Sequence, residues 1–409
     1  MNRVSNLIKR HMIYWVQSKF EVKELNVYLD NAATTKVMKE VTNKMCVVLE
    51  EHYGNPSSLH FKGIEAEKEI TEARNMIASL LKVEKKEIIF TSGGTESNNL
   101  AILGIARAYN RSGKHIIISC FEHPSVGRTA KQLEEEGFEV TTIPVHPDGR
   151  INLEALEGAI RPDTVLVSIM HVNNEIGVIS PVEKIGQIIK ERNQHTIFHV
   201  DAVQSFGKIW IQPKKWKIDC LSISGHKLHA SKGVGALYIS QKVKIKPLMF
   251  GGAHQMGIRS GTENTAGIAG LSVAAEYMYN HIDNHSKQLY DLKMQLREGI
   301  LNNIERTFVN GIEGDDSAHH ILNIRFEDVK GEVLLHALES KGIYISTGSA
   351  CSSNKPEPSA TLLSLEYTKT EIDNSVRFSF SMYNTKEEVD YCIEKLMEIV
   401  PALRKFVRK

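Results

Sequence analysis

The chain has 409 residues, of which 24% are charged and 42% hydrophobic, with a formal net charge of +1. That length is enough to bury one large core and a smaller one. The near-zero charge gives no overall field for nucleic acid, and no apolar stretch is long enough to cross a bilayer.

Residues 1–25 read as an N-terminal extension. Met1 to Phe20 lacks acidic residues and carries Arg3, Lys9, Arg10 and Lys19, but it has no continuous apolar core and no small-residue cleavage site, so a secretory signal is not expected. From about residue 60 to 240, helical patterns alternate with short β-branched runs. These are EIIFTS (87–92), HIIISC (115–120), TVLVSIM (164–170), TIFHVDA (196–202), IDCLSIS (218–224) and VGALYIS (234–240). Runs that are apolar throughout predict strands buried on both faces of a mostly parallel sheet. Ile64–Leu81 predicts an amphipathic helix, and Ser180-Pro181-Val182-Glu183 predicts a helix start with Ser180 as its N-cap. The fold class is α/β, with ligands expected at the carboxyl ends of the strands.

Further on, one long helical pattern covers about 265–305. A strand (321–326), a helix (330–341), a short strand (343–347), a strand (375–381) and a closing helix (385–407) follow, and they predict a smaller α/β unit. The expected division is a large domain over 26–270, whose first residues can pack on the other domain, and a small C-terminal domain over 271–409. The five cysteines include no pair at metal-ligand spacing, and reduced thiols of a cytoplasmic protein fit them. Cys46, Cys120, Cys220 and Cys392 lie in apolar or helical segments and are expected to be small buried hydrophobes. Cys351 instead sits among Ser, Thr, Gly and Ala in STGSACSS (346–353), a composition that predicts a mobile loop.

Three motifs carry chemistry. Thr91-Ser92-Gly93-Gly94-Thr95-Glu96-Ser97 follows a strand and opens a helical pattern, so its free N–H groups and the Thr95 hydroxyl can cradle an anion. The bland alternative is a Gly-rich turn. In His199-Val200-Asp201-Ala202-Val203-Gln204, a carboxylate ends an apolar strand, where it needs a partner. Capping of the next turn is the competing explanation. In Ser222-Ile223-Ser224-Gly225-His226-Lys227, a lysine stands beside hydroxyls and a histidine at a strand end, which suits a Schiff-base amine. Taken alone, it would be a solvated loop lysine. Together the three motifs ask for one ligand with a phosphate, a protonatable ring nitrogen and an aldehyde. Pyridoxal 5'-phosphate has all three.

These motifs stand in order with Tyr28-Leu29-Asp30-Asn31-Ala32-Ala33-Thr34-Thr35, Gly54-Asn55-Pro56-Ser57-Ser58, Glu122-His123, Met170-His171-Val172-Asn173-Asn174-Glu175, Arg259-Ser260-Gly261-Thr262-Glu263-Asn264, Gly348-Ser349-Ala350-Cys351 and Val376-Arg377-Phe378-Ser379. The set resembles the cysteine desulfurases of the NifS/IscS type, in the class V aminotransferase group, over all but the N-terminal extension. The resemblance implies the fold of type I pyridoxal-phosphate enzymes, with a seven-stranded, mostly parallel sheet and a smaller C-terminal domain. It implies Lys227 as the imine lysine and proton shuttle, and His123 as the residue stacked on the cofactor ring and assisting proton transfer. Asp201 would pair with the ring nitrogen and Gln204 with the phenolic oxygen. Gly94, Thr95, Ser224 and His226 would hold the phosphate, with Thr262 reaching the phosphate of the other subunit of a homodimer. Asn174 and Arg377 would read the carboxylate of L-cysteine, and Cys351 would take its sulfur as a persulfide for a separate acceptor protein. No resident metal is implied; Cys351 is at most a transient iron–sulfur ligand. A selenocysteine lyase or another lyase or aminotransferase of the same group is the alternative. The sequence departs from the group's pattern at Ala253, Gln255 and Met256, expected near the entrance or the subunit contact.

Overall fold

The computed structural model describes residues 26–347 and 358–406. The Cys351 segment lies outside them. The first part of the chain forms β1 (Val27–Tyr28), α1 (Lys39–Glu50), α2 (Phe61–Leu81), β2 (Ile88–Thr91), α3 (Gly94–Tyr109), β3 (His115–Ser119), α4 (Pro124–Glu135) and β4 (Glu139–Ile143). It continues through α5 (Leu153–Ala159), β5 (Thr164–Met170), α6 (Val182–Arg192), β6 (Ile197–Asp201), β7 (Cys220–Ser224) and β8 (Gly235–Ile239). Seven strands make one sheet in the order β2-β8-β7-β6-β5-β3-β4. Only β8 runs against the others, so the carboxyl ends of β2, β3, β5, β6 and β7 share one edge of the sheet.

The six apolar runs are β2, β3, β5, β6, β7 and β8, each within one or two residues of its expected limits. The seventh, β4, has no such run. It is one of the two edge strands, opposite β2, and its exposed Glu139 and Thr142 face water. Helices cover both faces of the sheet. In α2, for example, Ala66, Ile70, Ala73, Ile77 and Leu81 recur at three- and four-residue spacing and are all buried. The helix stops where Lys82 turns left-handed, at φ 55°.

The second part comprises α7 (Thr265–Asn280), α8 (Ile282–Asn303), β9 (Thr307–Val309), β10 (Ile321–Phe326), α9 (Gly331–Glu339), β11 (Ile343–Tyr344), α10 (Ala360–Ser364), α11 (Lys369–Asp373), β12 (Ser375–Ser379) and α12 (Lys386–Arg404). The single helix expected over 265–305 is two helices that break at His281, whose φ of −124° is not helical. The apolar core divides at the same place. Leu271, Ala274 and Ile282 join the core under the large sheet, whereas Leu289, Leu296 and Ile300 join a separate core with β10 and β12. The strand β1 pairs in parallel with β11, and Val27 and Leu29 are buried in that second core.

Two local expectations are corrected. Ser180 does not cap α6. Its N–H donates to His171 O at 2.7 Å and its hydroxyl is buried without a partner. The chain is therefore still held in a strand-like bridge there, and Pro181 takes the cap position. Cys220 and Cys392 are buried, but Cys120 is half-buried and Cys46 is exposed, because α1 buries Val41 and Val48 and turns Cys46 off that face.

Candidate active site

The shared edge of the sheet opens into a cavity of about 590 Å³. Its wall is made by the turns that leave β2, β3, β5, β6 and β7, by Ala32–Thr34, and by Arg377 from β12. Gly94, Thr95, His123, Asn174, Asp201, Gln204, Ser224, His226, Lys227 and Arg377 all line it. Thr262 does not; it is exposed on the loop before α7.

After β2 the chain turns through Gly93, whose φ of 151° and ψ of −175° belong to a region open to glycine alone. A side chain on Gly94 would meet Val203 Cγ2 at 2.6 Å. The two glycines thus let the first turn of α3 lie against the cavity with its N–H groups at the wall. Glu96 steadies the turn. It accepts from Ser92 N at 2.9 Å and pairs with Arg259 at 2.8 Å, contacts that bring its carboxyl below the usual range despite burial.

Asp201 ends β6 and is 3% exposed. Its Oδ1 accepts from Val203 N at 2.9 Å and its Oδ2 from Asn98 Nδ2 at 2.7 Å. The capping role and the site role are therefore compatible, because the carboxylate holds its own turn and still borders the cavity. Gln204 donates from Nε2 to Ala32 O at 2.9 Å, while its buried Oε1 has no partner.

Lys227 closes the short turn after β7, and its Nζ donates to Ala32 O and Ala33 O, each at 2.6 Å. Lys208 holds the same turn from behind, donating to Lys227 O at 2.8 Å. Burial, then the charges of Lys227, Lys232 and Lys208, push His226 down to about 4, so its ring is neutral at pH 7. His123 caps α4, its Nδ1 accepting from Ser125 N at 3.1 Å. Burial lowers its pKa; Asp201 pulls it up and Lys227 pushes it down.

Arg377 is held on two sides, by Asp30 Oδ1 at 2.7 Å from Nη2 and by Asn174 O at 2.7 Å from Nη1, and its buried Nε has no partner. Asn174 stands in a loop ordered by Asn173, whose Oδ1 accepts from the N–H groups of Glu175 and Ile176 at 2.9 and 3.0 Å. Gln255 is buried away from the cavity. Its Oε1 accepts from Phe90 N at 2.7 Å and Arg74 Nη1 at 3.2 Å, and its Nε2 donates to Glu263.

Sequence reading passed over Asn98, Ser125 and Asp30 as site residues. Asn98 carries a legible signal: it lies four residues after Gly94 on α3, hence on the same helix face. Ser125 stands two residues after His123 in a His-Pro-Ser helix start. Nothing local marks Asp30 as the partner of a residue 347 positions away.

An amine, a buried carboxylate, an anion-ready helix start and a guanidinium around one cavity suit a phosphate-bearing aromatic aldehyde and an amino-acid carboxylate. The comparisons agree with this geometry. A family model described as aminotransferase class-V matches residues 27–392. The cysteine desulfurase IscS of Methanosarcina thermophila is 47% identical over 92% of this chain and 93% of its own length. A solved NifS-like protein superposes with a TM-score of 0.87 at 38% identity, covering 92% of this chain and all (100%) of the other. The protein SspA, solved in complex with cysteine, superposes with a TM-score of 0.77 at 35% identity over 88% of this chain and 100% of its own. The chain belongs to the class-V aminotransferase family, among its cysteine desulfurases of the IscS type.

Proposed function

We propose that this protein uses pyridoxal phosphate to take sulfur from L-cysteine, leaving L-alanine and a persulfide on Cys351 for delivery to an acceptor protein. The observation that carries this reading is how the described residues on either side of the 348–357 segment are tied. On one side Ser346 exchanges backbone hydrogen bonds with Arg377, at 3.1 and 2.7 Å. On the other, Ser359 Oγ donates to Glu175 Oε2 at 2.6 Å, next to Asn174. Both anchors are at or beside residues of the proposed carboxylate site, which supports a Cys351 thiol within reach of the substrate sulfur.

The residues present fit the cofactor. The glycine turn, Thr95, Ser224 and neutral His226 suit a phosphate, buried Asp201 suits a protonated ring nitrogen, and the incompletely paired Gln204 amide suits a polar ring substituent. When bound, pyridoxal phosphate supplies an aldehyde that captures amines and a ring that draws electrons from the adjacent carbon. Asp201 would hold the ring nitrogen of the cofactor, and Lys227 Nζ would hold its aldehyde and, once free, could take and return the α-proton of the substrate. Arg377 and Asn174 orient the carboxylate, and His123 packs beside the ring. The Cys351 thiolate would attack the cysteine sulfur; the S–S bond forms as the substrate Cβ–S bond breaks, and the pair left on Cβ takes up a proton to become the methyl group of alanine.

Thr262, exposed and not lining its own cavity, supports a homodimer in which it serves the partner's phosphate. Leu59, Phe61 and Phe250, at 98%, 84% and 84% exposure, are apolar surface that such a dimer would cover. We further read the chain as two domains, over 26–270 and 271–409, with α7 and the start of α8 packed on the large core and the first residues on the small one, and place it in the cytoplasm. No described helix is long and apolar enough to cross a membrane.

The test is turnover of L-cysteine with a reductant present, measuring alanine and sulfide together. Equal amounts are expected. Cys351→Ser should keep the visible cofactor band and release no sulfide; undiminished sulfide from that variant removes Cys351 as acceptor, and absence of alanine from the unaltered enzyme overturns the whole reading.

A further inference from the structure

A buried line of hydrogen bonds runs from Asp201 to His123. Asn98 Nδ2 donates one hydrogen to Asp201 Oδ2 at 2.7 Å and the other to Ser125 Oγ at 2.9 Å. Asn98 and Ser125 are 1% and 8% exposed, so water does not compete for these bonds. The amide cannot sit the other way round: a flipped Asn98 would set its carbonyl oxygen against the Asp201 carboxylate. Its Oδ1 is buried with no partner, the cost of keeping both hydrogens on this line.

The direction then propagates. Ser125 Oγ already accepts from Asn98, so its own hydrogen is free for His123 Nδ1, which lies 2.7 Å away. The Ser125 backbone N–H points to the same nitrogen at 3.1 Å, and a backbone N–H can only donate. Two donors meet at Nδ1, which therefore carries no proton, and the ring's one proton is on Nε2. Burial lowers the pKa of the ring, and the charged groups acting on it are Asp201 from the end of β6, which raises it, and Lys227 from the turn after β7, which lowers it.

We propose that Asn98 and Ser125 are positioning residues that fix His123 in its Nε2–H form, so that the imidazole meets the ligand in the cavity as a hydrogen-bond donor and not as a base. Shifting the proton to Nδ1 would set two N–H groups against each other and break the line at both donors. A donor at Nε2 favours an atom that carries negative charge, as the substrate sulfur does once its proton has left. This inference rests on the function proposed above for its choice of ligand, but the tautomer itself does not.

The experiment uses the full-length holoenzyme with 15N-labelled histidine, the His123 signals being assigned by their loss in His123→Gln. The resting enzyme is expected to show an unprotonated Nδ1 and a protonated Nε2. Asn98→Leu keeps the side-chain volume but removes both donors, and Ser125→Ala removes the hydroxyl. Each should raise the Nδ1–H population and lower kcat by about tenfold, the effect of losing one oriented hydrogen bond, with KM for cysteine nearly unchanged. Ser125→Thr, which keeps the hydroxyl, should restore both readings. Unchanged tautomer signals in Asn98→Leu and Ser125→Ala would overturn the proposal, and so would an Nδ1-protonated ring in the unaltered enzyme. Because the spectra need no cysteine, failure of the relay and failure of the desulfurase reading are separately visible.

Discussion

Asp30 Oδ1 lies 2.7 Å from Arg377 Nη2, joining the segment after β1 to the strand that carries the proposed carboxylate reader. The Arg377 side chain is 4% exposed and that of Asp30 19%, so the guanidinium is almost dry while its carboxylate partner keeps some water. Asp30 and Asn174 O occupy one N–H on each Nη, which orients the guanidinium and leaves its unpartnered Nε and remaining hydrogens for a ligand. Arg377→Lys loses the planar fork and should raise KM for cysteine by tenfold or more, on the order expected for a charged hydrogen-bonded pair. A KM left unchanged would exclude Arg377 from carboxylate binding. Asp30→Ala strands a buried cation and should cost about 3 kcal/mol, read as a lower urea midpoint.

Glu122 precedes His123, and burial, reinforced by Asp201 but opposed by bonds from Ser119 and Met170 N, pushes its carboxyl up to about 8. Its Oε1 accepts from Met170 N at 2.7 Å, and its Oε2 is buried without a partner. An unfolded glutamate releases its proton near 4.5. Between these values the folded chain binds more protons than the unfolded one, so this group's contribution to stability falls as pH rises. Glu122→Gln keeps the acceptor and cannot ionise. From about pH 5 to about pH 8 the unaltered protein should lose Tm relative to Glu122→Gln; parallel Tm curves would show that Glu122 is ionised in the fold.

Gly93 holds φ 151° at the mouth of α3. Gly93→Ala forces a Cβ into that region at a cost of about 1–3 kcal/mol, and the relaxation turns the helix N–H groups away from the cavity. The variant should elute from gel filtration with less cofactor, seen in the visible absorbance. Full retention of the colour would mean that the phosphate is held elsewhere.

Gln255 serves two opposite demands, accepting from Phe90 N and Arg74 while donating to Glu263. Gln255→Glu sets a second carboxylate against Glu263. The prediction is a loss of about 1–3 kcal/mol in chemical denaturation at neutral pH, smaller in acid where one carboxyl is protonated. A variant as stable as the parent would show that the loop repacks freely.

What the sequence determined by itself was local. A two-residue or continuous apolar pattern marks a strand, a 3.6-residue pattern marks a helix, and residue types at fixed offsets from a strand end mark a site. The six strands β2, β3, β5, β6, β7 and β8, α2 and the Gly93, Asp201 and Lys227 motifs were legible for that reason. The edge strand β4 was not, since half of it faces water, nor was the break at His281, since the apolar pattern continues through it. Tertiary structure alone decided which distant groups meet: Asp30 with Arg377, Ser346 with Arg377, Ser359 with Glu175, and Asn98 with Asp201. Those meetings depend on strand register and on how two cores pack. A periodicity read along the chain shows which face is buried, but not what it is buried against.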